Sequence, residues 1–296
     1  MSAAIIDGKK IAADIRGELA VQVSELKKRG IVPGLGVILV GDDPASKSYV
    51  TAKEQACHDI GIFSDDNRLP SSTTQEQLMT LVRKMNADPR IHGILVQLPL
   101  PKHLNESEVL LAIDPDKDVD GFHPTNVGRM VIGEKAFLPC TPHGVVQMLA
   151  RSGVVMEGAH VVIVGRSNIV GKPLANMLMA KGRNANATVT VCHTRTKDIG
   201  SFTRQADIVI AAAGRPNTVT ADMIRDGAVV IDVGVNRVED ASRKQGFRLV
   251  GDVDFEACKS KASMITPVPG GVGPMTITML LFNTVESARR FAHLPE

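Results

Sequence analysis

Tyr49 and Lys53 lie four positions apart in the segment Gly41–Lys53, GDDPASKSYVTAK, and Tyr49 is the only tyrosine in the chain. On a helix this spacing places both side chains on one face, one turn apart. A lysine takes part in proton transfer near neutral pH only if burial lowers its pKa. The pair therefore indicates either a site for acid–base chemistry or, in the simpler interpretation, a lysine on a solvated helix face.

The position of the pair along the chain favours a site. The apolar run Leu35–Val40 predicts a strand that ends just before the pair, and open α/β sheets place their sites beyond the carboxyl ends of strands. The run Gly93–Gln97, GILVQ, predicts a second strand of the same sheet. We therefore expect Gln97 to be exposed at the same edge of the sheet as the pair.

Helical and strand patterns alternate in both halves of the chain. For the first half, apolar spacing predicts a long first helix that ends near Gly30 and two further helices at 45–60 and 75–87. It also predicts strands at 35–40, 62–69 and 93–97. For the second half it predicts strands at 160–164, 188–192, 207–211 and 229–233, with helices between the first of them, and a last helix over 275–291. This alternation is typical of largely parallel sheets flanked by helices.

The predicted fold class is α/β. We expect two α/β domains that face each other across a cleft, the second containing a Rossmann-type, mostly parallel sheet. Proline and aspartate are dense between 114 and 142, which predicts turns and a domain boundary there. We assign residues 1–122 plus 275–296 to the first domain and 123–274 to the second, and expect the last helix to pack against the first.

Composition excludes several classes of function. Lys and Arg number 34 against 32 Asp and Glu, which gives a formal charge of +2 and no basic footprint for nucleic acid. We expect neither a secretion signal nor a membrane span, because no apolar run is long enough. The four cysteines are scattered singly, which favours free thiols in a reducing cytoplasm. No histidine pair has metal-ligand spacing, so we predict no metal.

The segment Val161–Pro173, VVIVGRSNIVGKP, has the pattern of a strand, a glycine loop and the start of a helix. Backbone N–H groups at a helix start suit a pyrophosphate, and Arg166 and Ser167 would add donors. The spacing differs from G-x-G-x-x-G, because Ser167 takes the middle position and Gly171 comes one residue late. Taken alone, the loop is either a phosphate site or a tight structural turn.

The next predicted strand bears on the choice of cofactor. An NAD site has a carboxylate about 20 residues beyond the glycine loop, which binds the ribose 2′-hydroxyl. Here Thr188–Cys192 runs instead into His193, Thr194 and Arg195, whose side chains suit a 2′-phosphate, although a solvated polar turn is the alternative. Together with the glycine loop, this pattern favours NADP. The small residues of Ala211–Asn217, AAAGRPN, would let the backbone approach a nicotinamide ribose.

Five segments in order along nearly the whole chain resemble one family, the bifunctional methylenetetrahydrofolate dehydrogenase/methenyltetrahydrofolate cyclohydrolase of bacterial type. They are GDDPASKSYVTAK (Gly41–Lys53), VQLPLP (Val96–Pro101), DKDVDGF (Asp116–Phe122), GRSNIVGKP (Gly165–Pro173) and PVPGGVGPMT (Pro267–Thr276). The resemblance implies that NADP+ oxidises 5,10-methylenetetrahydrofolate to the 5,10-methenyl form, which is then hydrolysed to 10-formyltetrahydrofolate in the same cleft. It also implies a homodimer formed through the cofactor domains.

The resemblance also implies roles for individual residues. Lys53 resembles the catalytic lysine of hydrolysis, Gln97 orients it, Tyr49 packs on the folate ring and Asp120 binds the pterin edge. The remaining substrate positions implied are Pro269, Gly270 and Gly271. The cofactor positions are Gly165, Arg166, Ser167, Gly171, His193, Thr194, Arg195, Ala213, Gly214 and Val235. The family often has H-S-x-T where this chain has His193–Thr196, HTRT; Thr194 keeps the hydroxyl, so NADP stays the predicted cofactor.

Two other interpretations fit parts of the pattern. Another two-domain NADP dehydrogenase, of shikimate or amino-acid type, would share the architecture, but it has no need of Asp116–Gly121 together with Pro269–Pro274. A catalytically silent nucleotide-binding regulator would have no need of Lys53. We therefore predict a cytoplasmic one-carbon enzyme that acts on tetrahydrofolate derivatives and binds neither nucleic acid nor membrane.

Overall fold

The computed structural model describes residues 2–243 and 246–294 and divides the chain into two compact units. The three-stranded unit contains Ala13–Cys140 and the described residues from Ile277 onward. The six-stranded unit contains the described residues up to Ala12 together with Thr141–Thr276. Each unit therefore combines segments that are distant in the sequence.

Within the described residues, the strands are β1 (Ala4–Ile5), β2 (Gly34–Val40), β3 (Phe63–Leu69), β4 (Gly93–Val96), β5 (His160–Val164), β6 (Thr188–Cys192), β7 (Ile208–Ala211), β8 (Val229–Asp232), β9 (Asn236–Glu239), β10 (Phe247–Val250) and β11 (Met264–Ile265). The α-helices are α1 (Gly8–Lys28), α2 (Pro44–Ile60), α3 (Gln75–Ala87), α4 (Glu106–Ala112), α5 (Pro124–Ile132), α6 (Cys140–Arg151), α7 (Gly171–Met179), α8 (Ile199–Thr203), α9 (Phe255–Lys259) and α10 (Val272–Phe291). None of the helices in this part of the chain is both long and apolar enough to cross a membrane.

The three-stranded unit is built on a parallel sheet in the order β3-β2-β4. Every residue of β2 and β4 is buried, as expected for parallel strands that are covered on both faces. Ile38 and Ile94 pack with Leu78 and Val82 of α3 in one apolar cluster. The carboxyl ends of β2 and β4 point to one edge of the sheet, so the residues that follow them lie at that edge.

The last helix contributes to the core of the three-stranded unit. The Ser287 hydroxyl, on α10, donates to the carbonyl oxygens of His92 and Asp116 at 2.5 and 3.0 Å. Leu280, Leu281 and residues one or two turns further along α10 are buried. The packing of this helix against elements from the first half of the chain agrees with the sequence prediction.

The six-stranded unit contains a parallel sheet in the order β1-β11-β8-β7-β5-β6, and β9 and β10 form a separate antiparallel ribbon. β5, β6, β7 and β8 match the four strands predicted from apolar runs, and the mostly parallel α/β class is confirmed. The sequence prediction was wrong at two places. Residues 124–132, expected to be turns, form α5, and the last helix begins at Val272 rather than Met275.

Candidate active site and cofactor loop

The start of α2 fixes the position of the tyrosine–lysine pair. The Asp43 carboxylate accepts a hydrogen bond from the Ser46 backbone N–H at 2.8 Å, and Pro44 occupies the first turn. Both features favour a helix start at this point. Because only three residues separate β2 from α2, Tyr49 and Lys53, in the second and third turns of α2, lie beyond the carboxyl edge of the sheet.

Lys53, Gln97 and Tyr49 come together at this edge. The Lys53 side chain is buried, with 4% of the residue exposed, and its Nζ donates to Gln97 Oε1 at 3.0 Å. The same Nζ lies 4.7 Å from the centroid of the Tyr49 ring. Gln97 Nε2 donates to the Leu98 carbonyl at 2.7 Å, which holds the amide with its oxygen towards the amine. The hydrogen bond to Gln97 therefore fixes the position of the Lys53 amine.

Burial changes the charge balance of the site. Burial lowers the pKa of Lys53, and the nearby Asp120 carboxylate opposes part of that shift. Burial also raises the pKa of Asp120, and Lys53 opposes that shift in turn. Each group is therefore closer to its neutral form than it is in water. Lys53 and Asp120 are therefore close enough for each to influence the charge of the other.

Two residues that the sequence analysis did not single out support Asp120. Asn283, on α10, donates through Nδ2 to the carbonyl oxygens of Val119 and Leu138 at 2.8 and 3.0 Å. The Cys140 thiol donates to the Val119 carbonyl at 3.4 Å, and burial raises its pKa well above the ordinary value, which keeps it a neutral thiol. The contact between Asn283 and Val119 joins residues 164 positions apart, so no local pattern predicts it.

The glycines of the Val161–Pro173 segment allow a close approach of three backbone stretches. Gly165 follows β5 with φ +140°, and a Cβ there would lie 2.1 Å from the Ala212 carbonyl oxygen. A Cβ on Gly171, the first residue of α7, would lie 2.1 Å from the Gly165 carbonyl oxygen. Ser167 Oγ accepts from the Val170 N–H at 3.1 Å and keeps its own proton for donation. The loop thus brings a helix start and a hydroxyl together, which suits a pyrophosphate.

The turn after β6 presents donor side chains and no carboxylate over His193–Thr196. His193 Nδ1 accepts from the Arg195 backbone N–H at 3.1 Å, and Thr196 Oγ1 accepts from the His193 N–H at 3.0 Å. Thr194 and Arg195 are exposed. Within the described residues the Arg195 guanidinium has no acidic partner, so it is available to an anion.

The remaining predicted positions lie in the six-stranded unit. Ala213 and Gly214 follow β7, and Val235 follows β8 with 61% of its surface exposed. Pro269, Gly270 and Gly271 precede α10, with the Gly270 carbonyl accepting from the Lys9 N–H at 3.2 Å. The structure therefore brings Tyr49, Lys53, Gln97 and Asp120 together in one unit. The six-stranded unit contains the glycine loop, the His193–Arg195 turn and the remaining predicted positions, which are Ala213, Gly214, Val235, Pro269, Gly270 and Gly271.

Family models match both parts of the chain. The model described as "Tetrahydrofolate dehydrogenase/cyclohydrolase, catalytic domain" matches residues 6–120, and "Tetrahydrofolate dehydrogenase/cyclohydrolase, NAD(P)-binding domain" matches residues 139–292. The chain belongs to this family. It is 61% identical over 292 residues to the "Bifunctional protein FolD" of Dehalococcoides mccartyi (strain CBDB1), with 98% of each chain covered.

Solved structures of the same family agree along nearly the whole chain. The bifunctional FolD enzyme of Campylobacter jejuni is 50% identical, with a TM-score of 0.92 and coverage of 98% of this chain and 99% of that one. The FolD of Trypanosoma brucei, in complex with NADP and an inhibitor, is 42% identical, with a TM-score of 0.93 and 98% of each chain covered.

These matches confirm the predicted family and its pair of activities, methylenetetrahydrofolate dehydrogenase and methenyltetrahydrofolate cyclohydrolase. The predicted NADP cofactor agrees with the NAD(P)-binding family model and with the NADP-bound relative. The alternative of a shikimate-type or amino-acid-type dehydrogenase is not supported.

Proposed function

We propose that Lys53 is the catalytic residue of the hydrolytic step and that Gln97 positions its amine. Tyr49 stacks on the folate ring in this proposal, and Asp120 accepts hydrogen bonds from the pterin edge, whose amino and ring N–H groups lie side by side. The observation that carries the proposal is the buried Nζ of Lys53, which lies 3.0 Å from Gln97 Oε1.

The chemistry of hydrolysis needs a group that takes and returns a proton. Water adds to the cationic methenyl carbon, and the neutral Lys53 amine accepts the proton that this water loses. Ring opening then forms the formyl C=O as it breaks a carbon–nitrogen bond. Lys53 returns its proton to the leaving nitrogen, and the hydroxyl proton of the adduct passes to solvent. The lowered pKa of Lys53 increases the neutral fraction of its amine near pH 7.

The oxidation step requires less chemistry from the side chains than hydrolysis does. The folate nitrogen lone pair drives hydride loss, so the protein supplies alignment rather than an acid or base. Bound NADP+ supplies the hydride acceptor. We assign its pyrophosphate to Gly165, Arg166, Ser167 and Gly171, its 2′-phosphate to His193, Thr194 and Arg195, and its nicotinamide side to Ala213, Gly214 and Val235. Pro269, Gly270 and Gly271 complete the proposed substrate site.

The substitution Lys53→Met separates the two activities. We expect loss of cyclohydrolase activity with appreciable dehydrogenase activity retained, measured by absorbance with methenyltetrahydrofolate and with methylenetetrahydrofolate plus NADP+. Lys47→Met is a matched control, because Lys47 lies on the same helix in a surface pair with Asp42. Equal loss of both activities in a folded Lys53→Met protein would contradict the role given to Lys53.

The assembly and location of the enzyme belong to the same proposal. We propose a homodimer in the cytoplasm, with tetrahydrofolate derivatives as its partners and no nucleic acid or membrane. The four cysteines, all buried as free thiols, are compatible with a reducing compartment. We propose residues 1–122 plus 275–296 as the folate domain and 123–274 as the cofactor domain; the two compact units differ from these bounds at 2–12, 123–140 and 275–276. Sedimentation velocity at micromolar concentration would test the dimer.

A further inference from the structure

Two buried carboxylates lie beneath the loops that follow β7 and β8. Asp232 is the last residue of β8, and Asp252 lies two residues beyond β10. Their exposed fractions are 3% and 0%. Within the described residues neither has a lysine or arginine partner within 4 Å, which is unusual for buried carboxylates. Backbone N–H groups and one side-chain amide stabilise them instead.

Asp252 binds the backbone of the loop after β7. Its Oδ2 accepts from the backbone N–H groups of Ala213 and Gly214 at 2.7 and 2.8 Å. Its Oδ1 accepts from Asn236 Nδ2 at 2.8 Å. Two consecutive N–H groups that share one carboxylate oxygen fix the orientation of the peptide between them. The backbone of Ala213–Gly214 therefore has one defined conformation.

Asp232 binds the backbone of the loop after β8 and the backbone N–H of Asp252. Its Oδ1 accepts from the backbone N–H groups of Gly234 and Asp252, both at 2.9 Å, and its Oδ2 accepts from the Val253 N–H at 2.9 Å. Gly234 directly precedes Val235. The two carboxylates thus form one connected clamp, the Asp232–Asp252 clamp, that restrains both loops.

We propose that Asp252, supported by Asp232, is a positioning residue for NADP, because the clamp fixes the two loops that carry Ala213, Gly214 and Val235. The inference rests on the proposed function, which assigns these three residues to the nicotinamide side of the cofactor. Asp252 acts through the backbone and does not itself contact the cofactor. Its oxygen position matters more than its charge, since the contacts that it makes with the Ala213–Gly214 loop are hydrogen bonds to N–H groups.

Binding of NADP+ to four variants, measured by calorimetry, tests the proposal. Asp252→Ala removes the acceptor of the two backbone N–H groups, and we expect Kd to rise roughly tenfold or more. Asp252→Asn keeps one oxygen for the two N–H groups, but its new amide N–H would face the Asn236 amide. It is therefore made together with Asn236→Ala, and we expect Kd within roughly threefold of the Asn236→Ala protein. Asp226→Ala changes an exposed carboxylate of the same unit and should leave Kd unchanged.

Thermal unfolding of the same samples reports whether the six-stranded unit, which contains Asp252, is folded. A folded Asp252→Ala protein that binds NADP+ like the parent chain would overturn the proposal. So would Asp252→Asn, compared with the Asn236→Ala protein, weakening binding as much as Asp252→Ala does. If Asp252→Ala does not fold, Asp252→Ser takes its place, because a hydroxyl and a water molecule can occupy the vacated space.

A fifth variant separates this inference from the proposed function. Val235→Asp puts a charge on an exposed position of the second loop, and we expect weaker NADP+ binding if this loop contacts the cofactor. Unchanged NADP+ binding in Val235→Asp would contradict the assignment of this loop to the cofactor site. The inference about Asp252 would then be wrong as well. Weaker binding in Val235→Asp with unchanged binding in Asp252→Ala would leave the loop assigned and overturn only the clamp.

Discussion

Asn283 Nδ2 donates to the carbonyl oxygen of Val119 at 2.8 Å, directly beside Asp120. The side chain of Asn283 is buried, with 3% of the residue exposed, and its second hydrogen bond goes to Leu138. The last helix thereby fixes the turn that carries the proposed pterin-binding carboxylate.

The first prediction concerns Asn283 itself. Asn283→Ala leaves two buried carbonyl oxygens without this donor, and we expect the free energy of unfolding to fall by about 2–4 kcal/mol. We also expect KM for methylenetetrahydrofolate to rise, because Asp120 loses its support. Urea denaturation and initial rates measure both. Gln55→Ala removes an exposed hydrogen bond to Asp59, and a comparable loss of stability there would show that the Asn283 effect is not specific.

The second prediction is a pH dependence caused by His143. Burial lowers the pKa of His143 from 6.5 to about 4, so between these values the unfolded chain binds a proton that the folded chain does not. Stability is therefore fully present above pH 6.5 and falls as the pH drops towards 4, by about 3 kcal/mol for this group. His143→Gln should flatten that part of the profile of unfolding free energy against pH.

The control for His143 is a histidine on the surface. The His58 side chain is 87% exposed, so His58→Gln should keep the slope of the parent chain between pH 6.5 and 4. A steep slope that persists unchanged in His143→Gln would assign the acid sensitivity to other groups.

The third prediction concerns the choice between NADP and NAD. Arg195→Ala removes a guanidinium that has no acidic partner within the described residues, and we expect KM for NADP+ to rise roughly tenfold or more with little change for NAD+. Steady-state rates with both cofactors measure the ratio. Lys197→Ala removes an exposed cation two residues further along and should leave the ratio as it is; a shift of equal size there would indicate a general effect of charge.

The fourth prediction tests the close approach at Gly165. In Gly165→Ala the new Cβ meets the Ala212 carbonyl at 2.1 Å, and we expect a loss of at least about 2 kcal/mol in unfolding free energy, with weaker NADP+ binding. Gly17→Ala adds the same atom on the exposed face of α1, where nothing lies within 4 Å. It should stabilise the chain by up to about 1 kcal/mol. Thermal unfolding that ranks the two variants the other way would refute this account.

Several strands that the sequence predicted show their burial in their composition, although β3 and β6, which were also predicted, are partly exposed. β2, β5, β7 and β8 are short apolar runs because both faces of a parallel sheet are covered. β1 was not predicted, since it has two residues and its parallel partner is β11, about 260 positions later. β9 and β10 were missed as well, because their burial alternates between partly exposed and exposed and so leaves no apolar run.

The candidate site, like the set of strands, could be predicted only in part from the sequence. The spacing of Tyr49 and Lys53, the position of Gln97 after a strand and the two glycines of the β5–α7 loop are properties of the local sequence, and they were sufficient to propose an amine site and a phosphate loop. That Lys53 is buried, that Asn283 holds the turn before Asp120 and that Asp252 binds the Ala213–Gly214 backbone depend on segments far apart in the chain. Periodicity and turn chemistry act over a few residues, whereas burial and charge are set by whatever the folded chain brings alongside. The sequence alone therefore determined which groups were available for the chemistry, and only the tertiary structure decided their surroundings and hence their pKa values.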